Sequence, residues 1–366
     1  MDNLPFQVSV DDIKALDEKY AVIIFKHILQ AEAYKHNFPI TKLQISENIL
    51  AADGGIDGII YCSNHYDKEI DDILKNGNVI YQIKADNSFS NFPKMTVINE
   101  LLTKKLSKDE FEDITDDELK AIVKPKLKEL IEKGGYYVLV SFRSDSFGNK
   151  KQDAINLIKS VFERIGCENP KIDIFDCTNL QTAINQYLPI VSIIKTFPDC
   201  IDTVVNKLKE KSFNINFYKN EKIIEIEKTF EKFLENKTDI KHIRVLAEPG
   251  TGKTKAVLEF CKAYNSNVLY VESAKKFDDS ELYSYLKKLN DTQITLIIDE
   301  CNLNNAQTFM DRLIYKLKNL KLITIYNDFN TNTADTETKI IEYTKLTNED
   351  FTNILTDNYG MRKADA

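Results

Sequence analysis

The chain has 366 residues, of which 43% are hydrophobic and 29% charged, and its formal net charge is −8. This composition is typical of a folded globular protein rather than a disordered one, and the length predicts two domains. The apolar runs are too short for a membrane helix and the acidic start does not resemble a signal peptide, so we expect no membrane association.

The charge and the cysteines also bear on partners and compartment. A net charge of −8 disfavours non-specific coating of nucleic acid, because that binding depends on neutralisation of phosphates by Lys and Arg. It does not exclude an enzyme whose basic surface is local and whose metal ions supply positive charge. The six cysteines form no Cys-x-x-Cys pair. We therefore expect neither a zinc knuckle nor a disulfide framework, and a cytoplasmic location.

The first predicted domain, residues 1–198, mixes helices with short apolar strands. Apolar residues at helical spacing predict helices, and apolar runs next to glycine turns predict strands. The predicted helices are 20–33, 126–133, 153–165 and 179–188, and the acidic run 109–118 is a predicted solvated helix face. The predicted strands are 56–61, 79–84, 136–142 and 171–175.

The second predicted domain, residues 199–366, has a regular alternation of elements. Its predicted helices are 221–234, 253–263 and 280–289, and its predicted strands are 242–246, 267–271, 294–298 and 322–326. Strands that alternate with helices of this length predict a doubly wound parallel sheet.

A glycine-rich turn lies between the first strand and the first full helix of this alternation. Its residues are Ala247, Glu248, Pro249, Gly250, Thr251, Gly252, Lys253 and Thr254. The last four match the end of the P-loop pattern GxxxxGK[ST], although Ala247 replaces the first glycine. In such a loop, backbone N–H groups converge on phosphate oxygens, the lysine reaches the β and γ phosphates, and the threonine binds Mg²⁺. The sequence thus predicts a site for ATP and Mg²⁺. The alternative is a glycine-rich turn in an unrelated α/β domain.

Two further strand ends support a nucleotide site. The strand 294–298 is followed by Asp299 and Glu300. Asp299 would hold Mg²⁺ through water, and Glu300 would polarise the attacking water. Asn327 follows the strand 322–326, where it would sense the γ-phosphate or simply cap the strand. No convincing arginine finger is present, and Arg312 is a candidate with a surface salt bridge as the alternative.

The additional strand at 268–271, between these two motifs, resembles the NTPase class that includes AAA+ and STAND proteins. This resemblance implies a catalytic role for Glu300 and a polar sensor at Asn327. A capping box at Thr347 and Asp350 resembles the start of the helical lid of STAND ATPases. Residue 366 comes before a full lid, so we expect a truncated lid in either a minimal ATPase or a fragment of a longer protein.

The first domain has its own pair of informative segments. A glycine-rich turn at 53–58 contains Asp57, and the strand 79–84 contains Gln82 and Lys84. Residues 82 and 84 point to the same face of a strand, so they can share a site, and Asp57 can face them. Metal-dependent nucleases need a carboxylate at a strand edge, a second metal ligand, and a lysine that orients or deprotonates the attacking water.

These segments resemble the PD-(D/E)XK nuclease superfamily, and in particular the Mrr-like restriction endonucleases. The resemblance implies a restriction-endonuclease-like α/β core in which Asp57 and Gln82 bind Mg²⁺ or Mn²⁺ and Lys84 is catalytic. Glu32 matches the accessory acidic metal ligand of some members, or is a solvated helix residue. Twenty-five positions separate Asp57 from Gln82, which predicts a local insertion. The alternative is an inactive or unrelated α/β adaptor.

The order of the two domains resembles the bacterial antiviral STAND layout, in which an ATPase controls an N-terminal effector. It implies an ATP-regulated, metal-dependent endonuclease that acts on double-stranded DNA and forms homo-oligomers on activation. One alternative is a regulatory ATPase whose first domain only binds DNA or a partner. A restriction-type motor is another, but no translocase motif follows Asp299 and Glu300.

Overall fold

The computed structural model describes residues 7–36, 38–39, 42–45, 58–60, 73–75, 77–145, 149–196, 201–210, 213, 217–287, 293–327, 336–343, 347, 350, 352 and 356. The chain divides into two compact units, one comprising Val8–Asn185 and the other beginning at Gln186. This division falls before the predicted boundary at 198. The reason is helix α9 (Leu188–Thr196), which packs against two strands of the second unit, Ile201–Asp202 and Val268–Val271.

The first unit contains a five-stranded mixed sheet. Its strands, in both chain order and spatial order, are β1 (Leu43–Ile45), β2 (Gly58–Ile60), β3 (Val79–Lys84), β4 (Tyr136–Ser141) and β5 (Lys171–Phe175). β2 is antiparallel to both of its neighbours, β1 and β3, whereas β3, β4 and β5 are parallel. The predicted bounds of β3 and β5 are confirmed, whereas the three-residue β1 was not predicted.

Eight helices surround this sheet in the described residues. They are α1 (Val10–Lys14), α2 (Glu18–Lys35), α3 (Lys94–Asn99), α4 (Lys108–Asp113), α5 (Asp116–Ile122), α6 (Pro125–Glu132), α7 (Asn149–Arg164) and α8 (Cys177–Ile184). The predicted acidic helix at 109–118 is two short helices. Each begins with its own capping box, at Ser107 and at Thr115, and the second cap interrupts the first helix.

The two faces of β3 contact different helices. Tyr81 packs edge-to-face on Phe25 of α2, with ring centroids 5.2 Å apart. Ile80 points the other way, into a core that also contains Tyr137 and residues of α3 and α7. Because side chains alternate along a strand, Gln82 and Lys84 share the face of Ile80, opposite to α2.

The second unit contains a six-stranded sheet. Its strands are β6 (Ile201–Asp202), β7 (His242–Leu246), β8 (Val268–Val271), β9 (Ile294–Ile298), β10 (Leu320–Tyr326) and β11 (Thr338–Glu342), in the spatial order β11-β7-β10-β9-β8-β6. Neighbouring strands are parallel except at β6, which is antiparallel to β8. The predicted parallel sheet is confirmed. The edge strands β6 and β11 were not predicted.

Six further helices connect these strands in the described residues. They are α10 (Val204–Lys207), α11 (Glu221–Leu234), α12 (Lys253–Cys261), α13 (Ala274–Asp278), α14 (Leu282–Leu286) and α15 (Leu303–Phe309), and a π-helical turn, Met310–Ile314, continues α15. Phenylalanines of α11 and α12 pack with Ile243 and Val245 on one face of β7. Within the described residues, no helix is both long and apolar enough to cross a membrane.

Candidate functional site

The glycine-rich turn connects β7 to α12 at the carboxyl edge of the second sheet. Gly250 and Gly252 have φ angles of 79° and 83°. Glycine adopts these left-handed conformations without steric cost because it has no β-carbon. The two glycines of the sequence thus stand where the backbone of the turn requires them. The turn ends where α12 begins at Lys253, and the first N–H groups of that helix have no partner within the helix.

Side chains of the turn reinforce its shape. The Thr251 hydroxyl donates a hydrogen bond of 2.9 Å to the backbone carbonyl of Glu248. Pro249, between them, is exposed, whereas Ala247 is buried. Because Ala247 lies at the inner end of the turn in a packed core, its methyl group is accommodated where the P-loop pattern has glycine.

The lysine of the turn is held by two oxygen atoms. The Lys253 ammonium donates to the side-chain oxygen of Asn327 and, at 3.4 Å, to the carbonyl of Glu248. Its side chain is 8% exposed, and burial lowers the pKa of the amine. Since β10 lies between β7 and β9, Asn327 ends the strand next to the turn. The predicted sensor residue and the predicted phosphate-binding lysine are therefore in direct contact.

The first acidic residue after β9 faces the helix that begins at the turn. Oδ2 of Asp299 accepts a hydrogen bond of 2.9 Å from the Thr254 hydroxyl and one of 3.2 Å from the Tyr270 hydroxyl. Oδ1 accepts a hydrogen bond of 2.9 Å from the backbone N–H of Glu300. Burial raises the pKa of Asp299, and these three hydrogen bonds oppose that rise. A hydroxyl and a carboxylate at this distance are hard oxygen ligands, which fit Mg²⁺.

The second acidic residue, Glu300, differs from its neighbour in exposure and in backbone conformation. Its side chain is exposed to solvent, and its φ of 45° is in the left-handed region. A residue with a β-carbon pays a steric cost there, and such strain is often found at functional positions. Glu300 is thus accessible at the carboxyl edge of the sheet, beside the turn that contains Lys253.

Arg312 lies in the π-helical turn and contacts Asp278 at 3.6 Å. Both side chains are about half exposed, at 53% and 50%. This is the surface salt bridge that we considered as the alternative to an arginine finger.

A second polar cluster lies on the sheet of the first unit, within the core that contains Tyr137. The Tyr137 hydroxyl donates to Oε1 of Gln82 at 2.5 Å, and Nε2 of Gln82 donates to Oε2 of Glu100 at 2.5 Å. Lys84 forms an ion pair with the same Glu100 oxygen at 2.8 Å. Gln82 and Lys84 thus lie on the same face of β3, as predicted, and both contact one carboxylate.

Sequence reasoning missed Glu100, which follows α3 and caps its carboxyl end. It lies 18 positions after Gln82, at a spacing that belongs to no motif. The only indication in the sequence was Gln82 itself. In the predicted metal site it stands where a second carboxylate is expected, so that carboxylate has to come from another part of the chain. Gln82 is fully buried, and the amide oxygen that accepts from Tyr137 keeps one lone pair for a further partner.

Two predicted residues of this cluster lie elsewhere or outside the described residues. Glu32 is buried on α2, where its carboxylate contacts Lys35 and His36 at 3.4 Å. Since α2 packs on the opposite face of β3, the structure does not bring Glu32 to Gln82. Asp57, with residues 53–56 of the same turn, lies outside the described residues. Among the residues that are described, no group of three or more His, Cys, Asp or Glu side chains is arranged to hold a metal ion.

Comparison with known proteins identifies no family for this chain. No protein-family model matches it, and no curated protein matches it. Among solved structures, C. elegans PCH-2 matches with a TM-score of 0.29 and 13% sequence identity, over 39% of this chain and 48% of the PCH-2 chain. The match thus spans about half of PCH-2, and a likeness this slight carries no argument about function.

Proposed function

We propose that this protein is an ATP-regulated, metal-dependent DNA endonuclease in which the second unit binds and hydrolyses ATP and controls the first. The observation that carries the ATP-binding part is the set of contacts at the carboxyl edge of the second sheet. There, Lys253 contacts Asn327 and Thr254 contacts Asp299. These are the groups that a nucleoside triphosphate with Mg²⁺ requires, at the end of a glycine-rich turn.

The chain's own groups have separate roles in this proposal. Lys253 and the N–H groups at the start of α12 bind the phosphates, and Thr254 and Asp299 hold Mg²⁺, which offsets phosphate charge when it is bound. The exposed carboxylate of Glu300 accepts a proton from the attacking water. Asn327 exchanges its contact with the Lys253 ammonium for one with the γ-phosphate.

The nuclease part of the proposal is supported by the cluster on β3. Lys84 and Gln82 converge on one carboxylate, that of Glu100, on one face of a mixed sheet. Such a cluster combines a cation for the scissile phosphate with carboxylate and amide oxygens for Mg²⁺ or Mn²⁺. Asp57 remains a proposed metal ligand of this site.

The proposed biological role is based on the order of the two units. A nuclease-like unit before an ATPase-like unit resembles antiviral STAND proteins, and we propose the same role here. Double-stranded DNA is the proposed substrate, and homo-oligomers of the ATPase units are the proposed active form. The proposed location is the cytoplasm.

One observation favours a second candidate function, a regulatory ATPase whose first unit only binds DNA or a protein. Glu100 neutralises Lys84 and accepts a hydrogen bond from the Gln82 amide nitrogen, while the Tyr137 hydroxyl donates to the Gln82 amide oxygen. A buried network of hydrogen bonds and an ion pair of this kind also stabilises a core without any catalytic role.

The experiment that separates the two candidates is cleavage of supercoiled plasmid with Mg²⁺ or Mn²⁺ by the wild type and by Lys84→Ala. We expect nicked or linear DNA from the wild type and at least a hundredfold slower reaction from Lys84→Ala. Lys108→Ala is a matched control, because the Lys108 side chain is exposed and pairs with Glu112 at the surface of the same unit. If Lys84→Ala cleaves as fast as the wild type, the nuclease assignment at this cluster is wrong.

A further inference from the structure

Tyr270 is a residue of the nucleotide site that the glycine-rich turn does not predict. It lies on β8, opposite Ile297 of β9, and its ring is 2% exposed. Its hydroxyl reaches Oδ2 of Asp299 at 3.2 Å. The strand that follows α12 thus contributes a hydrogen-bond donor to the carboxylate after β9.

The donors around Asp299 leave its two oxygens unequal. A carboxylate oxygen accepts about two hydrogen bonds. Oδ2 already accepts two, from the hydroxyls of Thr254 and Tyr270, whereas Oδ1 accepts one, from the N–H of Glu300. Oδ1 is therefore the oxygen with remaining capacity, and the two hydroxyls fix the plane of the carboxylate.

The ring of Tyr270 is itself held in place. The Lys207 ammonium lies 5.7 Å from the centre of the ring, within the range of a cation–π contact. Glu210 and Glu272 fix that ammonium, at 2.8 and 3.6 Å. The hydroxyl of Tyr270 is thus directed at Asp299 by packing, without an exposed side chain that must be ordered when ligand binds.

We infer that Tyr270 is a positioning residue for Mg²⁺ at the nucleotide site. Its hydroxyl occupies Oδ2 of Asp299, so that Oδ1 accepts hydrogen bonds from the water shell that Mg²⁺ retains. This inference rests on the proposed binding of ATP. It predicts that loss of the Tyr270 hydroxyl weakens nucleotide binding in the presence of Mg²⁺ and leaves binding without Mg²⁺ unchanged.

The test is a titration of a fluorescent ATP analogue against Tyr270→Phe and the wild type, with Mg²⁺ and with a chelator. We expect the gain in affinity from Mg²⁺ to fall by about three- to tenfold in Tyr270→Phe, as loss of one hydrogen bond predicts. Affinity without metal changes by less than about twofold, because the ring and the phosphate-binding groups remain. Tyr285→Phe is the matched control, since its hydroxyl donates to the carbonyl of Lys195 away from this site.

The variant Asp299→Asn separates positioning from a purely structural role. If Tyr270 acts through Asp299, adding Tyr270→Phe to Asp299→Asn causes no further loss of the Mg²⁺-dependent affinity. Equal losses with and without Mg²⁺, or an unchanged Mg²⁺ dependence in Tyr270→Phe, would overturn the inference while ATP binding stands. A wild type that binds the analogue with no effect of Mg²⁺ would overturn the proposed nucleotide site as well. Thermal melting of each variant verifies that it is folded.

Discussion

The hydroxyl of Thr254 donates a hydrogen bond of 2.9 Å to Oδ2 of Asp299, although the two residues lie 45 positions apart in the chain. They meet because α12 starts at the carboxyl end of β7 and Asp299 follows β9, and parallel strands place these ends at one edge of the sheet. Crevices at this edge are where open α/β sheets bind ligands. The contact therefore links the topology of the sheet to the chemistry that we propose.

Replacement of Lys253 tests phosphate binding. We expect Lys253→Ala to lower the affinity for ATP by about 10- to 100-fold, because a charge-assisted contact to phosphate is lost. Calorimetric titration with ATP and Mg²⁺ measures this loss. Lys262→Ala is a suitable control, because Lys262 pairs with Glu259 at 2.6 Å near the opposite end of α12. Similar affinities in both variants would show that Lys253 is not the phosphate ligand.

Replacement of Glu300 separates binding from hydrolysis. Glu300→Gln keeps the shape of the side chain but cannot accept a proton. We expect its ATP affinity to stay within about twofold of the wild type, while hydrolysis falls by about 10²- to 10³-fold. Release of phosphate at saturating ATP is the measurement. If Glu300→Gln hydrolyses ATP at the wild-type rate, another group accepts the proton from the attacking water.

Replacement of Glu100 tests whether its carboxylate belongs to the nuclease site. Glu100→Gln removes the charge that pairs with Lys84 at 2.8 Å. We expect plasmid cleavage to slow by at least about a hundredfold, because a metal-binding oxygen and the charge beside the lysine are lost together. The control is Glu112→Gln, whose ion pair with Lys108 at 3.8 Å is exposed and contributes little to stability. Cleavage at an undiminished rate by Glu100→Gln would limit Glu100 to a structural role.

Lys321 gives the fold a specific dependence on pH. Its ammonium donates to the carbonyl of Phe233 and lies over that ring, and burial lowers its pKa from 10.5 to about 8. Between pH 8 and 10.5 the unfolded chain binds a proton that the folded chain does not, so the stability of the wild type rises with pH in this window. Lys321→Met has no titratable group at this position, so its folding does not require burial of a charge. We expect it to be more stable than the wild type by about 1 to 3 kcal/mol at pH 7.

Chemical denaturation at pH 7 and pH 10 measures this difference. The advantage of Lys321→Met shrinks as pH rises through 8, because the wild type then loses its buried charge. Lys318→Met is the control, because Lys318 lines the same cavity as Lys321. An advantage that is the same at both pH values would contradict the assignment of a lowered pKa to Lys321.

The parts of the structure that were predicted from sequence are those set by local pattern. The glycine turn, the acidic pair after β9 and the central strands each consist of consecutive residues. Each can therefore be recognised in a single sequence. The capping box at Thr347 and Asp350 was also predicted, and both of its hydrogen bonds are present. Each of these depends on residues that lie near one another in the sequence.

The parts that were missed depend on packing between distant residues. Tyr270 reaches Asp299 because of the register between β8 and β9, and Glu100 reaches Lys84 because α3 and Ile80 of β3 share one core. Neither the spacing between Tyr270 and Asp299 nor that between Lys84 and Glu100 belongs to a sequence motif. The edge strand β6 has only two residues, too few for a period of alternation to be visible. The predicted domain boundary at 198 lies after the observed division at Gln186 for the same reason. Helix α9 belongs to the second unit because it packs on β6 and β8, and the sequence does not show this packing.

The measurement that tests the central claim most directly is plasmid cleavage with Mg²⁺, with and without ATP, by the wild type, Lys253→Ala, Lys84→Ala and the control Lys262→Ala. We predict that ATP changes the rate of cleavage at least about tenfold in the wild type and in Lys262→Ala, a change of about 1.4 kcal/mol in the barrier. Lys253→Ala retains no response to ATP, and Lys84→Ala cleaves at least about a hundredfold more slowly than the wild type under both conditions. Cleavage by Lys253→Ala that responds to ATP as the wild type does would contradict control of the nuclease by this nucleotide site.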